Sequence, residues 1–354
     1  MRNPNEPVTG FSYFGVRNPE YVRMDLRRMK SHGATAVLFT LSEEDVEFYR
    51  GTMREMVSLA HKEGLLVYAN PWGLGGVFGG ESYSKFVAWF PDERQVDATE
   101  RPVPAACFNS PVFREFVHTW VKTAADCGVD VAMWDEPHFF MAHWADESLA
   151  KEDNVPTCFC RHCQTKFRQQ FGFPMPHELT PEVLQFREDS LVEFLTDVSG
   201  AANQRGLQNS VCILPPSYEL EDGITNPARV AAISSVQILA TDPYWEYEDD
   251  QATVEKYYRS NGKLILQLAQ KYGKEPEMWI KNFKIRAGTE PFVSLATEIT
   301  ARLGIRRIFA WSYLGSAYMS SLQSDNPYLV FDLQGEAFQK VHAAASNVSK
   351  SAAE

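Results

Sequence analysis

The chain repeats one pattern of polar and apolar positions along most of its length. A charged stretch with helical spacing ends at a glycine, and a short run of apolar, β-branched or aromatic residues follows. Glycine ends a helix at little cost because it adopts the left-handed backbone conformation, and a short apolar run suits a strand that is buried on both faces. The pattern therefore predicts helices that alternate with parallel strands.

Eight apolar runs fit this scheme as strands. They are Phe11–Phe14, Ala36–Thr40, Leu65–Ala69, Val129–Trp134, Ser210–Leu214, Val236–Ala240, Met278–Ile280 and Arg307–Trp311. Eight strand-helix units in one chain predict a closed (β/α)8 TIM barrel, an α/β fold, because a doubly wound sheet usually has fewer strands and a glycine fingerprint for phosphate after the first. The glycine-rich stretch Gly73–Gly80 lacks the Lys-Ser/Thr ending of a phosphate loop, so it is predicted to be a mobile loop.

The length of the connections predicts which end of the barrel carries function. Residues 73–109 after the third strand and 137–190 after the fourth form long connections. Long loops at the carboxyl ends of barrel strands build the active-site face. We predict one barrel domain over residues 1–354, with a last helix and a frayed tail after about residue 330.

Composition and charge narrow the class of ligand. A chain of 354 residues with 44% hydrophobic content buries a large core, and its net charge of −12 argues against nucleic acids and anionic membranes, which bind clustered Lys and Arg. The N-terminus has no signal-peptide core, and no apolar run approaches the ~20 residues of a membrane span, so we expect a cytoplasmic protein. The sequence leaves open whether it forms a homo-oligomer. Cys127 and Cys212 are expected to be small buried hydrophobes.

Carboxylates follow two of the predicted strands. Asp135 and Glu136 follow the fourth strand, and Asp242 follows the sixth. Glycoside hydrolysis needs two carboxyl groups, and the ends of barrel strands are where catalytic groups lie. We predict Glu136 as the general acid/base, Asp242 as the second carboxylate, and Asp135 as a group that holds a sugar hydroxyl or raises the pKa of Glu136. The fourth and sixth strands are not neighbours, so we expect a wide separation of roughly 6.5–9.5 Å between the carboxyl groups of Glu136 and Asp242.

Polar and aromatic residues at strand ends suit a carbohydrate pocket, because aromatic faces stack on sugars. The candidates for substrate binding are Asn70, Trp72, His138, Tyr244, Trp245, Lys281, Asn282, Trp311 and Tyr313. Packing in the core or at the rim explains any single aromatic among them equally well. Asp242 also fits a helix cap. Glu290 is a weaker candidate for the second carboxylate, since it lies where a helix is predicted to begin.

The cysteines of the fourth loop have metal-ligand spacing. Cys158, Cys160 and Cys163 can place three thiolates around one ion, and a tetrahedral zinc site requires a fourth ligand. Cys107 is the preferred fourth ligand and His162 the alternative, while reduced thiols without metal are the remaining interpretation. A site made only of cysteines is closed to water, so the predicted zinc is structural and a zinc-dependent hydrolase is disfavoured.

At these residues the sequence resembles the (β/α)8-barrel glycoside hydrolases, nearest the family-42 β-galactosidases. The likeness covers about residues 105–171, including the segments Cys107–Glu115 and Cys158–Phe171. The resemblance implies that Glu136 is the acid/base and that the four cysteines hold a structural zinc. The family has Asn where this chain has Asp135. Its nucleophile, a glutamate at the end of the seventh strand, has no counterpart in Trp279–Phe283.

Two hypotheses about function remain open. The first is an enzyme that hydrolyses a glycosidic bond through Glu136 and Asp242. The second is a barrel without turnover that binds a saccharide, which the missing carboxylate of the seventh strand favours. Both predict a carbohydrate as the partner.

Overall fold

Eight parallel strands close into a barrel, as the sequence predicts. The structure is a computed structural model that describes residues 6–145, 148 and 154–351. Its strands are β1 (Val8–Tyr13), β2 (Ala36–Thr40), β3 (Leu66–Asn70), β4 (Arg94–Val96), β5 (Pro102–Ala106), β6 (Val131–Asp135), β7 (Gln208–Ile213), β8 (Ile238–Thr241), β9 (Glu275–Lys281) and β10 (Arg307–Trp311). All except β4 and β5 belong to the barrel, in the order β1-β10-β9-β8-β7-β6-β3-β2. The (β/α)8 fold is confirmed.

Helices connect successive barrel strands, and local residues determine where they begin and end. The helices are α1 (Pro19–Ser31), α2 (Glu43–Phe48), α3 (Arg50–Lys62), α4 (Lys85–Trp89), α5 (Pro111–Cys127), α6 (Ala142–Ala145), α7 (Arg161–Phe171), α8 (Pro181–Gln204), α9 (Glu219–Asp222), α10 (Pro227–Ala231), α11 (Gln251–Tyr272), α12 (Pro291–Arg302) and α13 (Pro327–Ser351). For example, the Ser110 side chain caps the start of α5, and Gly128 ends that helix at a left-handed φ of 87°. Over residues 6–145, 148 and 154–351, no helix is both long and apolar enough to cross a membrane.

The first and last strands meet where the barrel closes. β1 pairs with β10 on one side and with β2 on the other. On the outer face of β1, the ring of Phe11 packs against Phe331 and Phe338 of α13, with centroid distances of 5.0 and 5.1 Å. The last helix therefore covers the first strand.

A buried polar network fills the barrel interior toward the amino ends of the strands. The carboxylate of Glu277 accepts hydrogen bonds from Tyr68 at 2.9 Å, Ser210 at 3.1 Å and Trp279 at 3.2 Å. Arg307 donates in turn to the Tyr68 hydroxyl at 2.7 Å. Because a buried charge is stable only when it is paired and hydrogen-bonded, this network is a satisfied part of the core.

The long loop after β3 contains structure that the sequence did not predict. It includes α4 and an antiparallel hairpin of β4 and β5, where Arg94 pairs with Ala106. Prolines in β5 hide such a strand from sequence patterns, since proline cannot donate to a ladder. The last helix begins at Pro327, close to the predicted position, and the residues after Ser351 lie outside the described part of the chain.

Candidate functional site

The carboxylates predicted from the fourth strand lie at the carboxyl end of β6. Glu136 has a left-handed backbone, with a φ of 43°, which is uncommon outside glycine. Its N–H donates to the carbonyl of Cys212 at 3.0 Å, and the carbonyl of Asp135 accepts from the N–H of Gly79 at 3.0 Å. Strained backbone of this kind persists when neighbouring hydrogen bonds hold it, and it clusters at functional sites.

Glu136 and Asp242 share a hydrogen bond between their carboxyl groups. The predicted wide separation is therefore wrong. The physical reason lies in β7, the strand between β6 and β8, where Cys212 is paired with Asp135 on one side and with Ala240 on the other. Its small side chain does not keep the carboxyl groups apart, and it is itself hydrogen-bonded to Asp242.

Burial and shared charge raise the pKa of every carboxyl group in this cluster. Burial, followed by the charge of Asp242, holds the pKa of Glu136 well above its usual range. Burial raises the pKa of Asp242 to about 7, against the hydrogen bonds from Glu136 and Cys212. Burial and then the charge of Glu136 hold the pKa of Asp135 well above its usual range, against a hydrogen bond from Asn70. That bond joins the Asn70 amide nitrogen to Asp135 Oδ2 over 2.7 Å.

The glycine-rich loop after β3 lies directly against the carboxyl groups. A Cβ atom on Gly79 would lie 2.6 Å from Glu136 Oε2, and one on Gly80 would lie 1.6 Å from Cδ1 of Trp72. The next residue, Glu81, contacts Trp72, and its charge acts on Glu136. Glu81 is exposed at the rim, and partial desolvation raises the pKa of its carboxyl group. Sequence patterns missed Glu81 because it does not follow a strand directly.

Aromatic rings line one side of the barrel mouth. Phe14 stacks on the predicted binding residues Trp72 and Trp311, with centroid distances of 5.4 and 5.7 Å. Phe14 is the last residue of the predicted first strand and is not among the predicted site residues. Its position just after β1 is the signal that could have identified it.

A second group of rings lies beyond Glu136. His138 is buried, donates from Nδ1 to the carbonyl of Glu136, and lies 4.9 Å from the ring of Trp144. Burial lowers the pKa of His138 to about 4, so its imidazole is neutral at physiological pH. The Trp144 ring lies 5.9 Å from Tyr218, whose pKa is raised by burial and then by nearby charges that include Glu136. Trp144 and Tyr218 lie in long loops, where position relative to a strand gives no signal.

The predicted substrate-binding residues that follow β8 and end β9 lie partly at the mouth of the barrel and partly in the core. Tyr244 is near the carboxyl cluster, because the charge of Asp242 adds to burial in raising its pKa. Lys281 is buried and donates to the carbonyl of Trp245, and burial lowers the pKa of its amine to about 8. Trp245 packs into the core, with its ring 5.9 Å from Tyr258.

Three other candidates have contacts that explain them differently. Asn282 is fully buried, and its side-chain amide has no hydrogen-bond partner among the described residues. Tyr313 donates to Asp25 at 2.7 Å and packs in the core beside α13. Glu290 lies at the start of α12, as predicted, but its side chain does not cap that helix and instead accepts from Gly288 at 2.8 Å and from Asn326 at 2.6 Å.

The four predicted cysteine ligands come together in one buried cluster. The sulfur atoms of Cys107, Cys158, Cys160 and Cys163 all lie within 4.8 Å of one another. The sulfur of Cys107 lies 3.5 Å from that of Cys163 and 3.4 Å from that of Cys160, too far for a disulfide, whose bond is about 2.05 Å. The alternative ligand His162 instead contacts Glu93 at 2.9 Å.

The cysteine cluster joins two segments of the chain. Cys107 follows β5, while Cys160 and Cys163 lie at the start of α7. Asn109 donates from its backbone to the Cys107 sulfur at 3.3 Å and from its side chain to the Cys163 sulfur at 3.4 Å. In metal sites, hydrogen bonds of this kind to the ligand atoms orient the ligands.

Comparisons with known proteins give a fold and leave the family open. No family model matches the sequence, and no curated protein matches it. Among solved structures, the endo-beta-1,4-mannanase from Thermotoga petrophila is similar over 96% of this chain and 78% of its own, with 10% identity and a TM-score of 0.57. GH5_18 from Streptomyces cattleya, solved with GlcNAc, is similar over 95% and 80%, with 12% identity and a TM-score of 0.56. The PgaB glycoside hydrolase domain from Bordetella bronchiseptica is similar over 87% and 94%, with 13% identity and a TM-score of 0.56. This chain therefore has the barrel fold found in these three glycoside hydrolases.

Proposed function

We propose that this protein hydrolyses glycosidic bonds, with Glu136 as the general acid/base and Asp242 as the second carboxylate. The observation that carries the proposal is the buried carboxyl pair at the ends of two barrel strands. Two interacting carboxyl groups with raised pKa values hold one proton between them near neutral pH, which supplies an acid and a carboxylate in one place.

The chemistry assigns a separate step to each member of the pair. The proton of Glu136 moves to the leaving oxygen as the bond from that oxygen to the anomeric carbon breaks, and the oxygen keeps the electron pair. A water molecule adds to the anomeric carbon, and Asp242 takes its proton. Asp135 and Asn70, which are hydrogen-bonded to each other, hold a sugar hydroxyl. The two carboxyl groups separate to admit the bond and the water, because glycosidases that use this route hold them roughly 6.5–9.5 Å apart.

The surroundings of the pair support a carbohydrate as the substrate. Phe14 lies stacked between Trp72 and Trp311 at the barrel mouth, and the half-buried Trp72 keeps exposed ring area of the kind that stacks on sugars. Among the structural neighbours, one is named a mannanase and another was solved with GlcNAc. These names support the class of substrate, and the sugar itself is left to experiment.

One observation favours a second function, a barrel that binds a saccharide without turnover. Glu136 and Asp242 contact each other directly, so no gap for a glycosidic bond separates them in this conformation. The family-42 β-galactosidases, which this sequence resembles, have their nucleophile at the end of the seventh barrel strand. The corresponding strand here is β9, and it ends in Lys281 and Asn282, which cannot take that role.

An activity panel distinguishes the two functions. The wild type, Glu136→Gln, Asp242→Asn and the exposed control Glu55→Gln are assayed on aryl glycosides and linear oligosaccharides. We expect Glu136→Gln and Asp242→Asn to lose at least 10²-fold in kcat/KM, about the contribution of general acid-base catalysis, while Glu55→Gln keeps full activity. Wild-type activity should rise with pH through about 7 as Asp242 ionises, and Asp242→Asn should lose this rise. Saturable sugar binding without turnover by the wild type would instead support the second function.

We also propose that Cys107, Cys158, Cys160 and Cys163 hold one structural zinc ion. A zinc–sulfur distance of roughly 2.3 Å places the sulfurs of a tetrahedron about 3.8 Å apart, and the separations of 3.4 and 3.5 Å fit that arrangement closely. Four thiolates leave no open position for water, so the ion would hold the loop after β6 against the segment that precedes α5 and would take no part in hydrolysis.

A further inference from the structure

A cavity of about 330 Å³ opens between the loops that follow β1, β2 and β3. Its lining combines aromatic rings with charged groups. The aromatic residues are Phe14, Trp72 and Tyr83, and the charged residues are Arg17, Glu44, Asp45 and Glu81. A volume near 300 Å³ is at the lower end of the range for small-molecule sites, and it suits one or two sugar rings.

The cavity adjoins the candidate catalytic centre. Trp72 and Phe14 line the cavity and are among the aromatic rings at the barrel mouth. Glu81 also lines the cavity, and its charge raises the pKa values of both Asp135 and Glu136. An oligosaccharide that extends from Glu136 past Trp72 would therefore enter this cavity.

Hydrogen bonds within the fold hold the charged wall of the cavity in place. Arg17 donates to Asp45 Oδ1 at 2.7 Å, and its guanidinium lies 4.4 Å from the ring centroid of Tyr49. Asp45 is buried and accepts hydrogen bonds from the backbone and side chain of Ser42, in the capping box that begins α2. Arg17 and Asp45 are thus already fixed before any ligand enters.

Glu43 fixes the opposite wall, which the loop after β3 forms. Its buried carboxylate accepts hydrogen bonds from the N–H of Gly75 at 2.9 Å, the hydroxyl of Ser84 at 2.6 Å and the N–H of Phe86 at 2.8 Å. These bonds hold both ends of the segment that carries Glu81 and Tyr83. Both walls are preorganised, which lowers the entropy that a ligand loses when it orders them.

We propose that this cavity is a saccharide subsite, so that the substrate is an oligosaccharide with one sugar at Glu136 and a further sugar between Trp72, Tyr83 and Arg17. The inference rests on the proposed function and adds the length and charge of the substrate. Aromatic faces match the C–H face of a sugar ring, and fixed carboxylate and guanidinium groups match its hydroxyls. Glu44, Asp45 and Glu81 outnumber the one cation Arg17, so the sugar is neutral or amino-bearing, and uronic acids are repelled.

The test measures how binding depends on chain length. Glu136→Gln protein is titrated calorimetrically with β-1,4-linked mannose, glucose and N-acetylglucosamine series of one to five units, with β-1,6-linked glucosamine, and with oligogalacturonate. We expect affinity for at least one neutral or amino series to rise tenfold or more between one and three units, and no affinity for oligogalacturonate. Affinity that does not change with length, or tighter binding of the galacturonate, would overturn the subsite, as would failure of every series to bind.

Tyr83→Ala in the Glu136→Gln background locates the effect. Tyr83 is fully exposed, so its removal does not disturb the fold, and the matched control is Tyr328→Ala, which is 58% exposed and outside the cavity. We expect Tyr83→Ala to lower the affinity for three sugar units at least fivefold and to leave the affinity for a single sugar unchanged. An equal effect on one and three units contradicts the assignment. Length-dependent binding by a wild type that shows no turnover would keep the subsite and refute hydrolysis, so the two failures are distinguishable.

Discussion

The carboxyl cluster depends on small residues as much as on its acids. Gly79 allows the loop after β3 to approach Glu136, and Cys212 allows Glu136 to reach Asp242 across β7. Neither residue carries a catalytic group. Their contribution is the space that a larger side chain would fill.

Gly79→Ala should separate activity from stability. A Cβ at this position would lie 2.6 Å from the end of the flexible Glu136 side chain, so the carboxyl group moves while the backbone stays. We expect kcat/KM to fall at least tenfold and the free energy of unfolding to change by less than about 0.5 kcal/mol. The control is Gly200→Ala in α8, where nothing lies within 4 Å of the new Cβ; it should stabilise by roughly 0.5–1 kcal/mol without loss of activity. Full activity in Gly79→Ala would show that the loop does not constrain Glu136.

Asp242→Asn should stabilise the protein more strongly as the pH rises. The folded pKa of Asp242 is about 7, above the unfolded value of 3.8, so the folded state holds its proton more tightly. Stability from that proton is present below pH 4 and is lost as pH rises through about 7. Asparagine has no proton to lose. Thermal unfolding should therefore show that the melting temperature of the variant, relative to that of the wild type, is higher at pH 8 than at pH 5. A difference in melting temperature that does not depend on pH would contradict the raised pKa.

Sequence position identified the acids of the site, while their neighbours depended on the folded chain. Asp135, Glu136 and Asp242 directly follow strands, where the barrel fold assigns them to one face. Glu81 lies in a loop whose path no strand fixes. Cys212 was classed as a buried hydrophobe, and it is buried, but its contact with Asp242 depends on register across the barrel.

At the scale of elements, apolar runs predict where the strands lie. They do not predict the first residue of a strand that has buried polar side chains. The bounds of β2 and β10 agree with the predicted Ala36–Thr40 and Arg307–Trp311. β9 begins at Glu275, three residues before the predicted Met278, because Glu277 is polar in sequence and yet fully buried in the barrel network. A charged residue with internal partners does not follow the apolar pattern on which the prediction rests.

Removing the proposed zinc should loosen α7 and its loop before it affects chemistry. Cys160→Ser, or treatment of the wild type with a chelator, should lower the melting temperature by several degrees, while kcat at 25 °C stays within about twofold. The matched control Cys127→Ser alters a buried cysteine outside the cluster and keeps the four proposed ligands, so a chelator should lower its melting temperature as it does for the wild type, whereas Cys160→Ser should be insensitive to chelator. Metal analysis of protein purified without chelator should return about one equivalent of zinc, and less than half an equivalent would refute the site.

At the scale of the whole molecule, closure of the barrel makes the stability of the first strand depend on the last strand and the last helix. We propose that the chain is a single domain, since β1 pairs with both β2 and β10 and lies under α13. Phe338→Ala empties a fully buried position against Phe11 and should cost about 3–5 kcal/mol. Urea unfolding should show this loss in one transition, whereas the exposed Tyr328→Ala should change stability by less than about 0.5 kcal/mol. A second transition that Phe338→Ala leaves unmoved would indicate separate domains.

Under the proposed function, the hydrogen bond between Glu136 and Asp242 competes with the substrate for the same two carboxyl groups. Each carboxyl group occupies the place that a substrate oxygen or a water molecule would take beside the other. A tethered partner acts at a high effective concentration, and the apparent affinity for substrate falls in proportion to the fraction of molecules whose pair is open. Loss of the remaining proton, after Asp242 has ionised, replaces this attraction with repulsion and opens the pair, but it also removes the acid. Above the pH range in which Asp242 ionises, ligand affinity is therefore expected to rise while activity falls.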